Sequence, residues 1–193
     1  SLPRTLTLSA HQIALLVLVS LASLMSKGSI SIFNFAFNLQ SVPLAIIGVS
    51  YSVATFPMLA RLFSGGERLE FQNKIGIAIR HIVFWSMPAT VMFVVLRAQI
   101  VRSILGAGKF DWSNTRLTAA CLAIFSISVI AQSLVLLFAR AYYAAGRTKI
   151  PLILNTTSSI LIIVLAYTLN YAFTKVLIFR YFVESLLRVE NIA

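Results

Sequence analysis

Residues 30 to 63, ISIFNFAFNLQSVPLAIIGVSYSVATFPMLARLF, decide how this sequence is read. A helix needs about 20 mostly apolar residues to cross a hydrocarbon core of roughly 30 Å. As one straight helix this apolar stretch would cover about 50 Å. Its length, with Pro43, Gly48 and Pro57 inside it, predicts a steep tilt, or a break near Pro43 where a backbone hydrogen bond is lost. One apolar run of spanning length precedes it, at about 6–25, and three follow, at about 77–96, 117–139 and 151–173. The fold class that follows is an all-α membrane protein with about five transmembrane helices.

The segments between these runs are polar or amphipathic. Residues 64–74 (SGGERLEFQNK) return the chain to water, and residues 140–149 (RAYYAAGRTK) form a short basic connection. In residues 97–112 (RAQIVRSILGAGKFDW), the apolar positions 100, 101, 104 and 105 share one helical face, as in an interfacial helix.

Composition agrees. Of 193 residues, 59% are hydrophobic and 11% charged, against about 45–50% and 25% in soluble domains. Such hydrophobicity excludes disorder. The formal net charge of +11 would suggest nucleic acid in a soluble protein. Here the positive residues sit between apolar runs, where membrane insertion and anionic headgroups favour them, so no nucleic-acid partner is expected. Cys121, the single cysteine, lies inside an apolar run and behaves as a small hydrophobe. The opening Ser1-Leu2-Pro3-Arg4 carries no initiator Met and no signal peptide, and the expectation is a segment of something longer. Excluding residues 174–193, the loops place Arg4, Arg61, Arg68, Lys74, Arg80, Arg140, Arg147 and Lys149 on one side. Lys27, Arg97, Arg102, Lys109 and Arg116 fall on the other, so the Arg4 side is expected in the cytoplasm.

The chemistry available is narrow. All five acids, Glu67, Glu70, Asp111, Glu184 and Glu190, lie outside the spans, so no carboxylate stands at membrane depth for a proton relay or cation site. His11 and His81 lack metal-ligand spacing, and no nucleophile can be paired with a base. The expectation is no metal, no cofactor and no catalytic residue. What remains is polarity inside the long apolar stretch: Asn34, Asn38, Gln40 and Ser41, beside Pro43. Asn34, Asn38 and Ser41 share one helical face at spacings of four and three, so they either line a polar cavity or bond a neighbouring helix. Polar residues at a helix break point to a transporter's binding site. Gln132, with Asn155, Thr156 and Ser159, forms a second polar set suited to bonding between helices. Arg140, Arg147 and Lys149, with Arg4 on the same side, suit a phosphate or lipid headgroup, or simply anchor the cytoplasmic face.

Three stretches resemble the lipid II flippase family MurJ, also called MviN, within the multidrug/oligosaccharidyl-lipid/polysaccharide exporter superfamily. Leu2-Pro3-Arg4 with Gln12 resembles the opening of the family's seventh helix, and residues 35–61 its eighth. Residues 105–110 (LGAGKF) and 139–151 (ARAYYAAGRTKIP) resemble the flanks of its tenth. The resemblance implies that residues 1–173 are a transmembrane bundle forming part of the C-terminal lobe of a two-lobe flippase. Residues 174–193 would be an amphipathic periplasmic or interfacial segment. It further implies a multi-pass protein of the bacterial cytoplasmic (inner) membrane, with no covalent chemistry. Such a protein moves undecaprenyl-pyrophosphate-linked peptidoglycan precursor (lipid II) to the outer leaflet by alternating access. Its partners would be that precursor, membrane lipids and the missing N-terminal lobe of the same protein. Asn38 departs from the Arg that many members carry, and Leu18 stands where some carry a sodium-holding acid. Two other readings are a superfamily exporter of another lipid-linked oligosaccharide or a drug, and a membrane scaffold that transports nothing.

Overall fold

The structure is a computed structural model describing residues 2–23, 28–105 and 112–175. Among these residues every regular element is helical: α1 (Leu2–Ser23), α2 (Ser29–Pro43), a π-helical segment (Leu44–Val49), α3 (Ser50–Ser64), α4 (Arg68–Val95), α5 (Arg97–Leu105), α6 (Trp112–Ala144) and α7 (Lys149–Lys175). Residues 174 and 175 close α7, and the rest of the 174–193 segment lies outside the described residues. Among the described residues, four stretches are long and apolar enough to cross a membrane: Ser29–Ser64, Arg68–Val95, Thr115–Ala144 and Lys149–Ala172. The 22-residue α1 is the fifth long helix.

The chain divides into two compact units, residues 1–31 with 149–193, and residues 32–148. In the first, α1 pairs with α7. Only 6% of the α7 span is buried, with Ile153, Leu154, Ile160 and Leu161 all exposed, so lipid or protein must cover that surface. In the second, α6 packs against α2 through α5. Its buried residues Ala119, Leu122, Ser126, Val129, Ser133, Leu137 and Ala141 recur at spacings of three and four, the signature of one helical face. Ala36 of α2 and Val101 of α5 meet Ala119 and Leu122 in one cluster. Ile47 meets Ala78 and Ile82 of α4 and Leu137 in the other. Val101 thus packs α5 against the bundle, while Ile104 on the same helix stays exposed.

Lipid tails are as apolar as leucine, so helices in a membrane associate through close packing rather than through escape from water. Small residues permit that packing here. Ser52, Ser86, Ser126 and Ser133 are fully buried, and each hydroxyl donates to a carbonyl one turn back in its own helix, on Val49, Ile82, Leu122 and Val129 respectively. With its hydroxyl satisfied in this way, each serine presents little more than a Cβ to its neighbours.

The expected break at Pro43 does not occur. Proline has no N–H to donate and its ring crowds the carbonyl four residues earlier. The chain answers with a wider π turn over Leu44–Val49 and resumes as α3. The Ser50 N–H donates to Ala45 and Ile47 carbonyls, and its hydroxyl donates to the Ala45 carbonyl at 3.1 Å. The helix is therefore continuous for 36 residues, about 54 Å long and well beyond a roughly 30 Å core.

The polar block 64–74 is only partly a turn. Gly65 and Gly66 end α3, and residues 68–74 are the first two turns of α4, where helix-favouring Arg, Leu, Glu and Gln extend it beyond the apolar span. Gly66 adopts φ +77° and Gly146 φ +68°. Each closes its helix in the same way. Gly66 donates to Phe63 and Glu67 to Leu62; Gly146 donates to Tyr143 and Arg147 to Tyr142. These are paired Schellman turns, which need a residue tolerant of the left-handed region.

Gly66→Ala and Gly146→Ala are each expected to destabilise the protein by about 1 to 2 kcal/mol, because a Cβ is disfavoured in that region whatever the space around it. Gly76 lies inside α4 with nothing within 4 Å of an added Cβ, so Gly76→Ala should instead stabilise by up to about 1 kcal/mol. Thermal unfolding in detergent micelles checks the opposite signs.

Candidate functional site

The polar residues of α2 divide between two faces. Asn34, Asn38 and Ser41 are exposed together, and the Ser41 hydroxyl donates to the Asn38 carbonyl at 2.6 Å. Gln40 sits on the opposite, packed face with Ile32, Ala36 and Pro43, and is only 1% exposed. Its Oε1 has no hydrogen-bond partner. Gln40 follows Ala36, which meets Leu122, and precedes Gly48, which meets Ser133. Between those levels α6 is polar as well. The Thr90 hydroxyl of α4 donates to the Ser126 carbonyl at 3.2 Å, and Gln132 Nε2 donates to Ser128 Oγ at 2.7 Å. Asn155 and Thr156 are half-buried on α7, where Ser159 is buried.

Of the basic residues, Arg140 is half-buried in the last turns of α6, Arg147 is exposed just past the Gly146 turn, and Lys149 is exposed at the start of α7. Arg4 lies in the first turn of α1, and its side chain is outside the described residues, as are residues 106–110 of the LGAGKF stretch. Arg147 and Arg68 flank a groove of about 330 Å³ between the ends of α3 and α6 and the start of α4. Arg68 was not singled out by its sequence context. The signal available was the pair of glycine turns, one on each side of the groove, which bring residues 68 and 147 to the same end of the unit.

A family model described as "Lipid II flippase MurJ" matches residues 1–183. The chain belongs to the MurJ family. A relative from Buchnera aphidicola, named as a probable lipid II flippase MurJ, is 31% identical over 150 residues, covering 78% of this chain and 29% of the relative. One of the same name from Rhizobium tropici is 30% identical over 152 residues, covering 79% and 28%. A solved structure titled lipid II flippase MurJ in an inward closed conformation superposes with a TM-score of 0.72 at 25% identity, covering 80% of this chain and 32% of that one. The chain thus spans less than a third of the length of these MurJ proteins.

Within this MurJ chain the two faces of α2 should respond differently to substitution. Gln40→Leu is expected to stabilise the protein by about 1 to 3 kcal/mol, since it removes a buried acceptor that has no donor. Asn38→Ala, on the exposed face, should change stability by less than about 0.5 kcal/mol. Thermal unfolding of both variants in one detergent checks the contrast.

Proposed function

We propose that this chain is part of a flippase that carries lipid-linked peptidoglycan precursor, lipid II, from the inner to the outer leaflet of the bacterial cytoplasmic membrane. It acts by alternating access, with no covalent step and so no enzyme chemistry. The observation that carries the reading is the exposed face of Asn34, Asn38 and Ser41 on a membrane-spanning helix of a MurJ-family chain. Amide and hydroxyl groups facing hydrocarbon would lose their hydrogen bonds. Their natural place is against a water-filled path or another protein surface, and an amphiphilic cargo with a sugar and pyrophosphate head needs such a path. The remainder of the same protein, including an N-terminal lobe, would supply the facing wall.

In this arrangement Asn34, Asn38 and Ser41 donate and accept hydrogen bonds to the cargo's polar head, and none of them carries charge. Attraction for pyrophosphate then falls to cations. Arg4, Arg140 and Lys149 are at helix ends, where they would attract the anionic head as it approaches from the cytoplasmic leaflet. Gln40 takes no part in cargo contact, because it is buried against the bundle.

The test uses the full-length protein in cells depleted of their own flippase, with labelled lipid II followed to the outer leaflet. Asn38→Ala is expected to reduce transport about tenfold, the worth of one hydrogen bond to a charged group, while Asn38→Arg keeps it. Transport unchanged by both substitutions would remove this face from the cargo path, and no transport by the unsubstituted protein would sink the lipid II assignment.

A further inference from the structure

The groove between α3, α4 and α6 has a composition that the transport path does not account for. Its walls are Phe63, Phe71, Phe138 and Tyr142, with the Phe63 and Phe71 rings edge to face at 5.7 Å and 61°. Its two ends carry Arg68 and Arg147, and Gln72 adds an amide between them. The guanidiniums come from separate turns, each fixed by a positive-φ glycine and a Schellman pair of hydrogen bonds. Neither side chain forms an ion pair or hydrogen bond with the described residues. Glu67 and Glu70 line a neighbouring shallow hollow with Arg68, yet neither pairs with it.

Position narrows the occupant. α3 ends at Ser64, α6 ends at Ala144 and α4 begins at Arg68, so the groove opens where three spans leave the hydrocarbon. Aromatic walls there meet the top of the acyl region, and the arginines meet the headgroup layer. Arginine forks suit phosphate oxygens because two parallel N–H bonds can form to one group. A volume of about 330 Å³ is at the small end of ligand sites, which run from about 300 to 1,000 Å³. That admits a phosphate headgroup with the first carbons of its chains and excludes a sugar-peptide cargo head. A free phosphate ion would leave the four rings without a partner.

We propose that this groove is a binding site for the headgroup of an anionic bilayer phospholipid, held by Arg68 and Arg147 and seated on the four aromatic rings. The lipid ties the α3–α4 turn to the end of α6 and acts as a fixed part of the unit's interfacial surface. The site stands independently of the flippase reading, since it depends on neither the exposed α2 face nor any transport step.

The experiment counts lipids bound to the full-length protein by native mass spectrometry from detergent micelles, with dioleoylphosphatidylglycerol and dioleoylphosphatidylcholine as probes. The expected result is preferential retention of the phosphatidylglycerol. Arg68→Gln and Arg147→Gln should each weaken it about fivefold, the worth of one cation near an anionic headgroup, and the two together more than tenfold. Arg61→Gln, an equal charge change at the exposed end of α3 outside the groove, should leave it unaltered. Tyr142→Phe keeps the wall and should retain the lipid. Equal retention of both lipids would overturn the proposal, as would a double variant that binds like the unsubstituted protein. Displacement by millimolar inorganic phosphate would overturn it too, because it would make the groove a site for the free ion.

Discussion

The approach of Gly48 to Ser133 is the contact on which the larger unit depends. A Cβ built on Gly48 would lie 2.6 Å from the Ser133 hydroxyl oxygen and 2.9 Å from its Cα and Cβ, closer than side-chain carbons tolerate. Two helices can meet at that distance only if one has no side chain there. The geometry starts at Pro43. Because its missing N–H cannot support an ordinary turn, the chain widens into the π segment, and Gly48 falls within that segment, on the face turned toward α6. Ile47 beside it enters the cluster with Ala78, Ile82 and Leu137. One proline, one glycine and one serine therefore bring α2, α3, α4 and α6 into a common core without any charged pair.

The same close packing explains the division of polar groups. Serines on the packed faces satisfy their hydroxyls within their own helices, so they behave as small residues and leave the core nearly free of unpaired groups. Gln40 is the exception, a long amide on the packed face of α2 with an acceptor that nothing satisfies. Such a group is unfavourable by about 1 to 3 kcal/mol where it stands, and any rearrangement that offers it a donor is favoured by a similar amount. For a protein that rocks between states, a strained amide beside a π turn is a natural place for two packings to differ, because π turns often mark functional positions.

Hydropathy alone made the long helices legible, because a run of about 20 apolar residues has few alternatives to a membrane span. The face shared by Asn34, Asn38 and Ser41 was legible for the same reason, since spacings of four and three survive any tertiary context. Three features were not. The continuation of the helix through Pro43 depends on π bonding to carbonyls that α-helical periodicity does not register. The burial of Gln40 depends on which face of α2 meets α6, and polarity argued for the wrong face. The groove at Arg68 and Arg147 joins residues 79 positions apart in sequence, and only the packing of α3 and α4 on the end of α6 brings them together. The family resemblance, resting on the stretch through Pro43, Gly48 and Pro57, pointed to the proline and glycine that set this packing but not to the groove.

The most direct test of this account is a double-mutant cycle on Gly48→Ala and Ser133→Gly, read by reversible unfolding in detergent micelles. Gly48→Ala should lose about 1 to 3 kcal/mol through overpacking, and Ser133→Gly about 1 kcal/mol through helix propensity. Together they should lose at least about 1 kcal/mol less than the sum, because the glycine at 133 makes room for the new methyl group. Losses that add to within about 0.5 kcal/mol would contradict the claim that these two residues touch.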